Sequence, residues 1–260
     1  MFRMSLFKSA LMLTVLLLIQ TVVSVSSAQT LVQTIKQVKP AVVGVGSYLS
    51  TRRPPSQYLG TGFVVGDGYH VITNHHVVDK SRKNKEQLGI FYRVKKQVKF
   101  RKVRILAKDK MHDLALLRIE GTKLPVMKIE SSRTASEGEE IAFTGFPIGA
   151  VLGLYPVTHR GIVSALSPVV IPAPSSSTLS VKMIKRLRNP YWVYQLDATA
   201  YPGNSGSPMY SVKTGRVLGV INKVFVKETK ESVIQKPSGI TYAIPSKYII
   251  KLLKDNKIRY

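Results

Sequence analysis

The sequence contains no cysteine in its 260 residues. Disulfide bonds, thiolate zinc sites and a cysteine nucleophile are therefore excluded, and the fold must be stabilised by packing. Beyond the first 28 residues there is also no apolar stretch long enough to span a bilayer. A hydrophobic fraction of 44% excludes a disordered chain, and the length allows one large domain or two small ones with a proper core.

Acidic residues are scarce, with 14 Asp and Glu against 39 Lys and Arg and a formal net charge of +25. The excess is concentrated between Asp79 and Lys110, where thirteen basic residues stand against three acidic ones. Alternating apolar and basic residues at 98–105 predict a strand with cations on its outer face and a bulge at Lys102. Residues 80–110 are either a solvated face or a site for anionic lipid head groups, cell-wall polymer, nucleic acid or acidic protein segments.

Residues 1–28 have the organisation of a removable signal peptide. Arg3 and Lys8 precede an apolar run at 11–19, and small residues at 26–28 provide a cleavage site near Ala28. The run is shorter than the ~20 residues that a spanning helix needs. Export to the periplasm or the medium is therefore predicted, and a retained N-terminal membrane anchor is the alternative.

Short β-rich runs separated by Gly, Pro, Asn and Asp fill most of the chain after residue 40. The predicted strands are 41–49, 58–66, 70–78, 89–94, 97–107 and 113–120 in the first half, then 139–145, 161–166, 192–199, 208–212, 216–225 and 239–244. This pattern predicts an all-β fold of two six-stranded antiparallel barrels. Short amphipathic helices are expected at 31–40 and from Ser246, the predicted N-cap, onwards. We divide the chain into the signal peptide 1–28, a first barrel half 29–130 and a second barrel half 131–260, the two halves forming one domain.

Residues 199–208 (TAYPGNSGSP) place a serine between glycines after a Pro-Gly turn. Such a serine can expose its hydroxyl, while the small neighbours let consecutive backbone N–H groups converge on one point. This is the geometry of a nucleophile beside an oxyanion hole. Taken alone, however, the stretch is also explained by ordinary turn chemistry.

A base and a carboxylate are available elsewhere in the chain. His75 and His76 stand late in the predicted strand 70–78, and Asp113 directly precedes an apolar run. On its own, each could be structural: a hydrogen-bonded core histidine, or an aspartate that begins a strand. Together with Ser205 they supply what serine proteolysis needs. Their order, His then Asp then Ser, matches the two-barrel proteases and not the α/β-hydrolases.

The chain resembles the trypsin-like serine proteases of the HtrA/Deg type over nearly the whole sequence after the signal peptide. Six ordered segments are similar to motifs of that family: TNHHVV at 73–78, DLALL at 113–117, GFPIG at 145–149, GIVSA at 161–165, DA at 197–198 with PGNSG at 202–206, and YAIPS at 242–246. The resemblance implies an exported serine endopeptidase that hydrolyses peptide bonds of proteins through an acyl-enzyme. It implies no metal and no cofactor.

The resemblance also assigns roles to individual residues. Ser205 would be the nucleophile, His76 the general base, and Asp113 the carboxylate that orients it, while His75 takes a variable position and His112 neighbours the carboxylate. The implied oxyanion hole consists of the backbone N–H groups of Gly203 and Ser205, with Asn204 as a further candidate. The implied substrate pocket has Thr199 at its base and Ile221 and Asn222 along its wall. Because Thr199 is uncharged, the residue before the scissile bond is expected to be small or medium-sized and apolar.

Three further points stay open at the level of sequence. The PDZ domain of many HtrA relatives does not occur in these 260 residues, and an oligomer is possible because trimers are common in that family. The irregular segment 167–190 is either a solvated loop or a lid. A function of another class, a protease-fold protein that binds a polyanion through residues 80–110 and leaves its triad idle, is the alternative to an endopeptidase.

Overall fold

The computed structural model describes residues 30–79, 86–95, 97–147, 154–168, 190–222 and 240–260. The predicted signal peptide, most of segment 167–190 and part of the basic region lie outside these ranges. The elements in chain order are α1 Leu31–Val38, a 3-10 turn Lys39–Ala41, β1 Val42–Tyr48, β2 Ser56–Val65, β3 His70–Asn74, α2 His75–Asp79, β4 Gln87–Val94, β5 Gln97–Asp109, β6 Leu114–Ile119, β7 Glu140–Gly145, β8 Val157–Pro168, β9 Trp192–Asp197, β10 Pro208–Ser211, β11 Val217–Asn222, β12 Ile240–Pro245 and α3 Ser246–Asp255.

The strands form two closed antiparallel barrels, with the neighbour orders β1-β2-β3-β6-β5-β4 and β10-β11-β12-β9-β8-β7. The predicted all-β fold with two six-stranded barrels and short terminal helices is confirmed. The proposed boundary at 130/131 falls in the connection between β6 and β7. None of the helices in the described ranges is long and apolar enough to cross a membrane.

Strand β6 shows why an almost continuous apolar run forms a strand here. Ala115, Leu117 and Ile119 face the interior of the first barrel. Leu114 and Leu116 point the other way, into a second cluster that also contains residues of β11 and α3. Since successive side chains of a strand alternate between its two faces, both faces must be apolar when both are buried. The cluster on the outer face therefore joins the two barrels.

Both ends of the described chain pack against the barrels. The buried Thr34 hydroxyl of α1 donates to the carbonyl of Val212 at 2.8 Å, so the first helix lies on the second barrel. Helix α3 ends at Asp255, and Lys257, two residues later, lies in the left-handed region at φ 59°. The N–H of Ile258 donates to Leu253 O at 3.0 Å, which turns the chain back sharply as in a Schellman motif. The last residues then meet the β2–β3 turn, where a Cβ on Gly66 would lie 2.8 Å from Arg259 O.

Three local expectations were wrong. Strand β3 ends at Asn74, and the next five residues form α2. Ser246 does begin the last helix, but its hydroxyl donates to Glu130 O at 3.0 Å instead of capping the helix. Strand β5 is regular at Lys102, which pairs with Gly89, and its register shift lies between Ile105 and Ala107. The break in the alternation of apolar and basic residues near Lys102 coincides with a change in strand pairing. Strand β5 pairs with β4 up to Lys102 and with β6 from Val103 onwards.

Candidate active site

A short hydrogen bond joins His76 to Asp113. His76 Nδ1 lies 2.6 Å from Asp113 Oδ2, and the backbone N–H of His76 donates to Asp113 Oδ1 at 2.9 Å. Because a carboxylate only accepts hydrogen bonds, the Nδ1 nitrogen must carry the proton. The neutral imidazole is thereby held in the tautomer whose Nε2 has a free lone pair. Both side chains are about one-fifth exposed, at 20% and 16%, so substrate and solvent can reach the pair.

The pairing of β3 with β6 brings these two residues together. In this antiparallel pair Asn74 lies opposite Leu114, so the residue after β3 meets the residue before β6. The carbonyl of Asp113 accepts hydrogen bonds from His75 N and Asn74 Nδ2, both at 3.0 Å. Asp113 itself has φ 52°, a conformation that is uncommon for residues other than glycine but tolerated by Asp and Asn. These four hydrogen bonds to Asp113 fix its carboxylate in place.

Ser205 lies in a tight turn of the second barrel and is 7% exposed. Within the turn, Asn204 N donates to Tyr201 O and Ser207 N to Asn204 O, both at 3.0 Å. Gly206 N donates to Ile221 O at 2.9 Å, which fastens the turn to β11. Gly206 has φ 89°, and a Cβ there would lie only 2.0 Å from Thr61 O. Only glycine fits at that position, and it places the serine directly against the first barrel.

Thr61 on β2 connects the two barrels at the serine turn, a role that the sequence reasoning did not assign. Its N–H donates to Ser205 O at 2.8 Å, and its hydroxyl donates to Gly203 O at 2.7 Å. The same hydroxyl accepts the N–H of Phe146 at 3.1 Å. Thr61 is completely buried and stands between two glycines. A Gly-x-Gly within a strand is a signal for close backbone approach, and it was the one sequence cue to this contact.

Gly60 lies between the segments that carry His76 and Ser205. A Cβ on Gly60 would lie 2.7 Å from the Val77 side chain of α2 and 2.9 Å from Ser205 O. The helix that carries His76 and the turn that carries Ser205 therefore pack against one glycine. Among the described residues no hydrogen bond joins Ser205 Oγ to His76. Such bonds are often formed only when substrate is bound.

Two backbone donors of the serine turn are available to a ligand. Within the described ranges, the N–H groups of Gly203 and Ser205 have no hydrogen-bond acceptor, whereas that of Asn204 is used by Tyr201 O. Gly203 has φ 99°. The Asn204 side chain is buried, and its amide Nδ2 lies 3.5 Å from His159 Nε2. In this conformation the turn can offer two N–H groups to an oxyanion, those of Gly203 and Ser205.

Of the three residues predicted to form the pocket, Ile221 has described hydrogen bonds to the serine turn. Thr199 is partly buried, six residues before Ser205, and Asn222 is 1% exposed at the end of β11. Ile221 is fully buried within the apolar cluster of the second barrel. Its N–H donates to Ser207 O at 2.9 Å, so β11 runs alongside the serine turn.

The other described histidines occupy different environments. His75 contacts Asp113 through backbone only, and burial, followed by the charge of Lys108, lowers the pKa of its ring. His112 bonds to Asp109 at 2.6 Å and stacks on Tyr248 of α3, with ring centroids 4.0 Å apart. Burial lowers the pKa of His159. The structure therefore pairs the carboxylate of Asp113 with His76 alone.

Comparisons with known proteins agree with this geometry. Residues 60–220 match the trypsin-like peptidase domain. The chain is 29% identical over 213 residues to a probable periplasmic serine endoprotease, DegP-like, of Pseudomonas putida, which covers 80% of this chain and 37% of the relative. It is 32% identical over 192 residues to the putative serine protease HhoB of a Synechocystis species, covering 74% of this chain and 38% of the relative.

Solved structures with the same fold extend the comparison. The active form of the Rv3671c protease from M. tuberculosis superposes with a TM-score of 0.63 at 19% identity, over 87% of this chain and 85% of that one. The serine endoprotease from Yersinia pestis gives 0.60 at 23% identity, over 87% and 66%. At these identities the likeness establishes the fold. The chain spans between a third and two-fifths of the length of the curated relatives above. Since the family match covers more than half of this sequence, the chain belongs to the trypsin-like peptidase family and is of its HtrA/DegP type.

Proposed function

We propose that the protein is a serine endopeptidase in which Ser205 is the nucleophile, His76 the general base and Asp113 the group that orients the base. The observation that carries the proposal is the 2.6 Å contact between His76 Nδ1 and Asp113 Oδ2. His76 lies in α2, and α2 and the Ser205 turn both pack against Gly60. The DegP-like names of the relatives support the same activity.

The proposed reaction follows from the positions of these groups. Ser205 Oγ attacks the peptide carbonyl carbon while His76 Nε2 accepts the hydroxyl proton, and Asp113 stabilises the imidazolium that results. The carbonyl oxygen becomes an oxyanion, which the N–H groups of Gly203 and Ser205 stabilise. The imidazolium then protonates the leaving amine, and the C–N bond breaks to give the acyl-enzyme. Water, deprotonated by His76, attacks the acyl carbon, and the ester C–O bond breaks to release the new carboxyl end. The imidazolium returns its proton to Ser205 Oγ, which restores the starting state.

A fluorophosphonate probe tests the proposal directly. Because the probe phosphonylates a serine only when a base and an oxyanion site activate it, we expect one adduct, and mass spectrometry should place it on Ser205. Ser207→Ala is the matched control, since Ser207 Oγ is buried and has no partner among the described residues. This variant should be labelled at the wild-type rate. Failure of the folded wild type to react, or an adduct on another residue, would contradict the proposal.

Substrate preference is proposed from the uncharged pocket residues. Neither Thr199 nor its proposed wall residues Ile221 and Asn222 can neutralise a buried Lys or Arg side chain, and an unpaired buried charge is costly. We therefore expect a peptide library to be cleaved after small or medium apolar residues. Thr199→Asp should shift cleavage towards Lys and Arg, while Thr214→Asp, in the exposed β10–β11 turn, should leave the preference unchanged. Wild-type cleavage after Lys or Arg would refute the assignment.

The basic region is proposed as a surface for anionic partners that accompanies the peptidase. Exposed cations on β5 and in the turn between β4 and β5 support it: Lys95, Lys99, Lys102 and Arg104. Arg101 is less available, because its guanidinium donates to Tyr92 Oη at 2.6 Å and to the carbonyl of Thr122. A polyanion-binding protein with an idle triad would bear the same surface, and the fluorophosphonate experiment separates the two functions.

Export from the cytoplasm is the last part of the proposed function. The relatives named above include a periplasmic endoprotease, and residues 1–28 have the order of a signal peptide. We propose that the protein acts on protein substrates outside the cytoplasm after cleavage near Ala28.

A further inference from the structure

A cavity of about 690 Å³ lies on the first barrel, at the ends of β3 and β6 remote from His76 and Asp113. It is bounded by the β2–β3 turn, by β6 and by the chain that follows α3. The lining side chains that carry ionisable groups are Asp67, His70, Arg118, Lys257, Arg259 and Tyr260. The volume falls within the range of about 300–1,000 Å³ that is typical of small-molecule sites.

The charge of this cavity is unbalanced. Among the lining side chains, Arg118, Lys257 and Arg259 carry positive charge and Asp67 is the single carboxylate. That carboxylate is already engaged by His70 Nδ1 at 2.8 Å and by Tyr69 N at 3.0 Å. In the described part of the chain, no carboxylate lies within 4.0 Å of the Arg118 guanidinium. The cavity therefore holds excess positive charge that the described part of the protein does not neutralise.

The described contacts of Arg118 do not neutralise its positive charge. Its Nη1 lies 3.5 Å from Nε2 of His70, a buried side chain, and its guanidinium carbon lies 5.8 Å from the Tyr69 ring centre. Neither contact supplies negative charge. His70 Nδ1 donates to the Asp67 carboxylate, so the nitrogen that faces the guanidinium, Nε2, is an acceptor without charge of its own.

The residues paired with Arg118 across the sheet add to the local excess of positive charge. Arg118 lies directly opposite His70 of β3 on one side and opposite Arg104 of β5 on the other. Directly opposed residues have side chains on the same face of a sheet, and like charges in this position are destabilising. Arg104 has a 3.7 Å contact with Glu120, but both side chains are about half exposed or more. The contact between Arg104 and Glu120 therefore does little to offset the repulsion between Arg104 and Arg118.

The chain after α3 adds two cations at a conformational cost. Lys257 takes φ 59° at the position after a helix where glycine is usual, because a side chain there crowds the backbone. The turn brings Lys257 and Arg259 back to the cavity wall, and Arg259 O packs against Gly66. Strained positions that present a charged group are characteristic of ligand sites.

We propose that this cavity binds the phosphate group of a small phosphorylated ligand. The Arg118 guanidinium offers two parallel N–H donors to the phosphate oxygens, and Lys257 and Arg259 contribute further positive charge. A group with two negative charges matches the excess of cations better than a carboxylate does. The phosphate can belong to a soluble metabolite or to a lipid head group. The site does not depend on the proposed peptidase activity.

Binding of tripolyphosphate to the full chain tests this site. At a constant ionic strength of about 0.15 M, which limits surface attraction, isothermal titration calorimetry should show saturable binding to a single site. Arg118→Gln should weaken binding at least about tenfold, the order expected for one charge-assisted contact. The double variant Lys257→Gln/Arg259→Gln should do the same without altering any strand. Circular dichroism melting checks the fold of each variant, and the double variant decides the matter if Arg118→Gln does not fold.

Two variants remove a positive charge elsewhere and serve as controls. Lys36→Gln alters the exposed face of α1, and Arg216→Gln alters the β10–β11 turn of the second barrel. Both should bind tripolyphosphate within about twofold of the wild type, since neither residue lines the cavity. Equal weakening in the controls and the cavity variants would overturn the proposal, because binding would then follow surface charge.

Vesicles distinguish the two sources of phosphate. Phosphatidylglycerol vesicles also attract the basic region, so the readout is the difference between variants. If the ligand is a lipid head group, Arg118→Gln should weaken capture relative to phosphatidylcholine vesicles, and Lys36→Gln should not. Binding of tripolyphosphate alone assigns a soluble ligand. If neither probe binds in a manner that depends on Arg118 or on the Lys257/Arg259 pair, the site does not exist.

Discussion

Ser205→Ala should lower kcat for casein hydrolysis by about 10⁶-fold, the scale on which serine proteases lose activity when the nucleophile is removed. The alanine lacks the oxygen that forms the acyl-enzyme, so only direct attack by water remains, assisted by the oxyanion donors and by substrate binding. The fold should be unaffected. Turn contacts run through the backbone of Ser205, whose carbonyl accepts from Thr61 N at 2.8 Å, and the hydroxyl makes no hydrogen bond within the described ranges.

The measurement compares initial rates of cleavage of fluorescent casein by variants of equal melting temperature. Ser207→Ala removes a hydroxyl two residues away in the same turn and should keep near wild-type activity. Activity of Ser205→Ala within tenfold of the wild type would show that another residue performs the chemistry. A loss of similar size in Ser207→Ala would show that the turn, and not the nucleophile, had been damaged.

Asp113→Asn should lower kcat by about 10⁴-fold, the effect seen when the carboxylate of a Ser-His-Asp triad becomes an amide. Asparagine can keep the hydrogen bond from the backbone N–H of His76 through its carbonyl oxygen. The amide NH₂ of the asparagine then faces His76 Nδ1, at the position that is 2.6 Å away in the wild type. Because an NH₂ group only donates hydrogen bonds, Nδ1 must become the acceptor and give up its proton. The proton moves to Nε2, so the lone pair that should accept the serine proton disappears.

Asparagine is the appropriate replacement because Asp113 has φ 52°, a region that Asn tolerates and alanine does not favour. A change in kcat with an unchanged melting temperature would thus report on the tautomer of His76. Asp109→Asn is the control, since it alters the equivalent 2.6 Å contact with His112 in a pair outside the proposed site. Asp113→Asn with more than a tenth of wild-type kcat would contradict the role of Asp113.

Strand positions were predictable because local residues determine them. Gly, Pro, Asn and Asp bound each apolar run, and the observed strands begin and end within a few residues of the predicted ones, apart from β3 and β8. Strand β3 was predicted too long because 75–78 contains two valines, which favour strands. The chain turns into α2 there because His75 N and His76 N bond to Asp113, a contact between residues distant in sequence.

The proposed site was predictable in its residue types and not in its construction. Histidine, aspartate and serine could be selected because few residue types perform this chemistry, and their order is characteristic. The role of Thr61 could not be foreseen. Its hydrogen bonds to Ser205 and Gly203 depend on the distance between two barrels, which no local pattern encodes. The use of Asn204 N–H by Tyr201 likewise appears only in the folded turn.

The apolar cluster between the barrels has a consequence for folding. It contains side chains from β3 and β6 of one barrel, from β11 of the other and from α3. Loss of one barrel would expose this cluster on the remaining barrel, so the two barrels are expected to unfold together in one cooperative transition. A half-unfolded species would present extended chain to neighbouring active molecules. With the proposed peptidase activity, cooperative unfolding would limit digestion of one molecule by another, because few molecules would be partly unfolded.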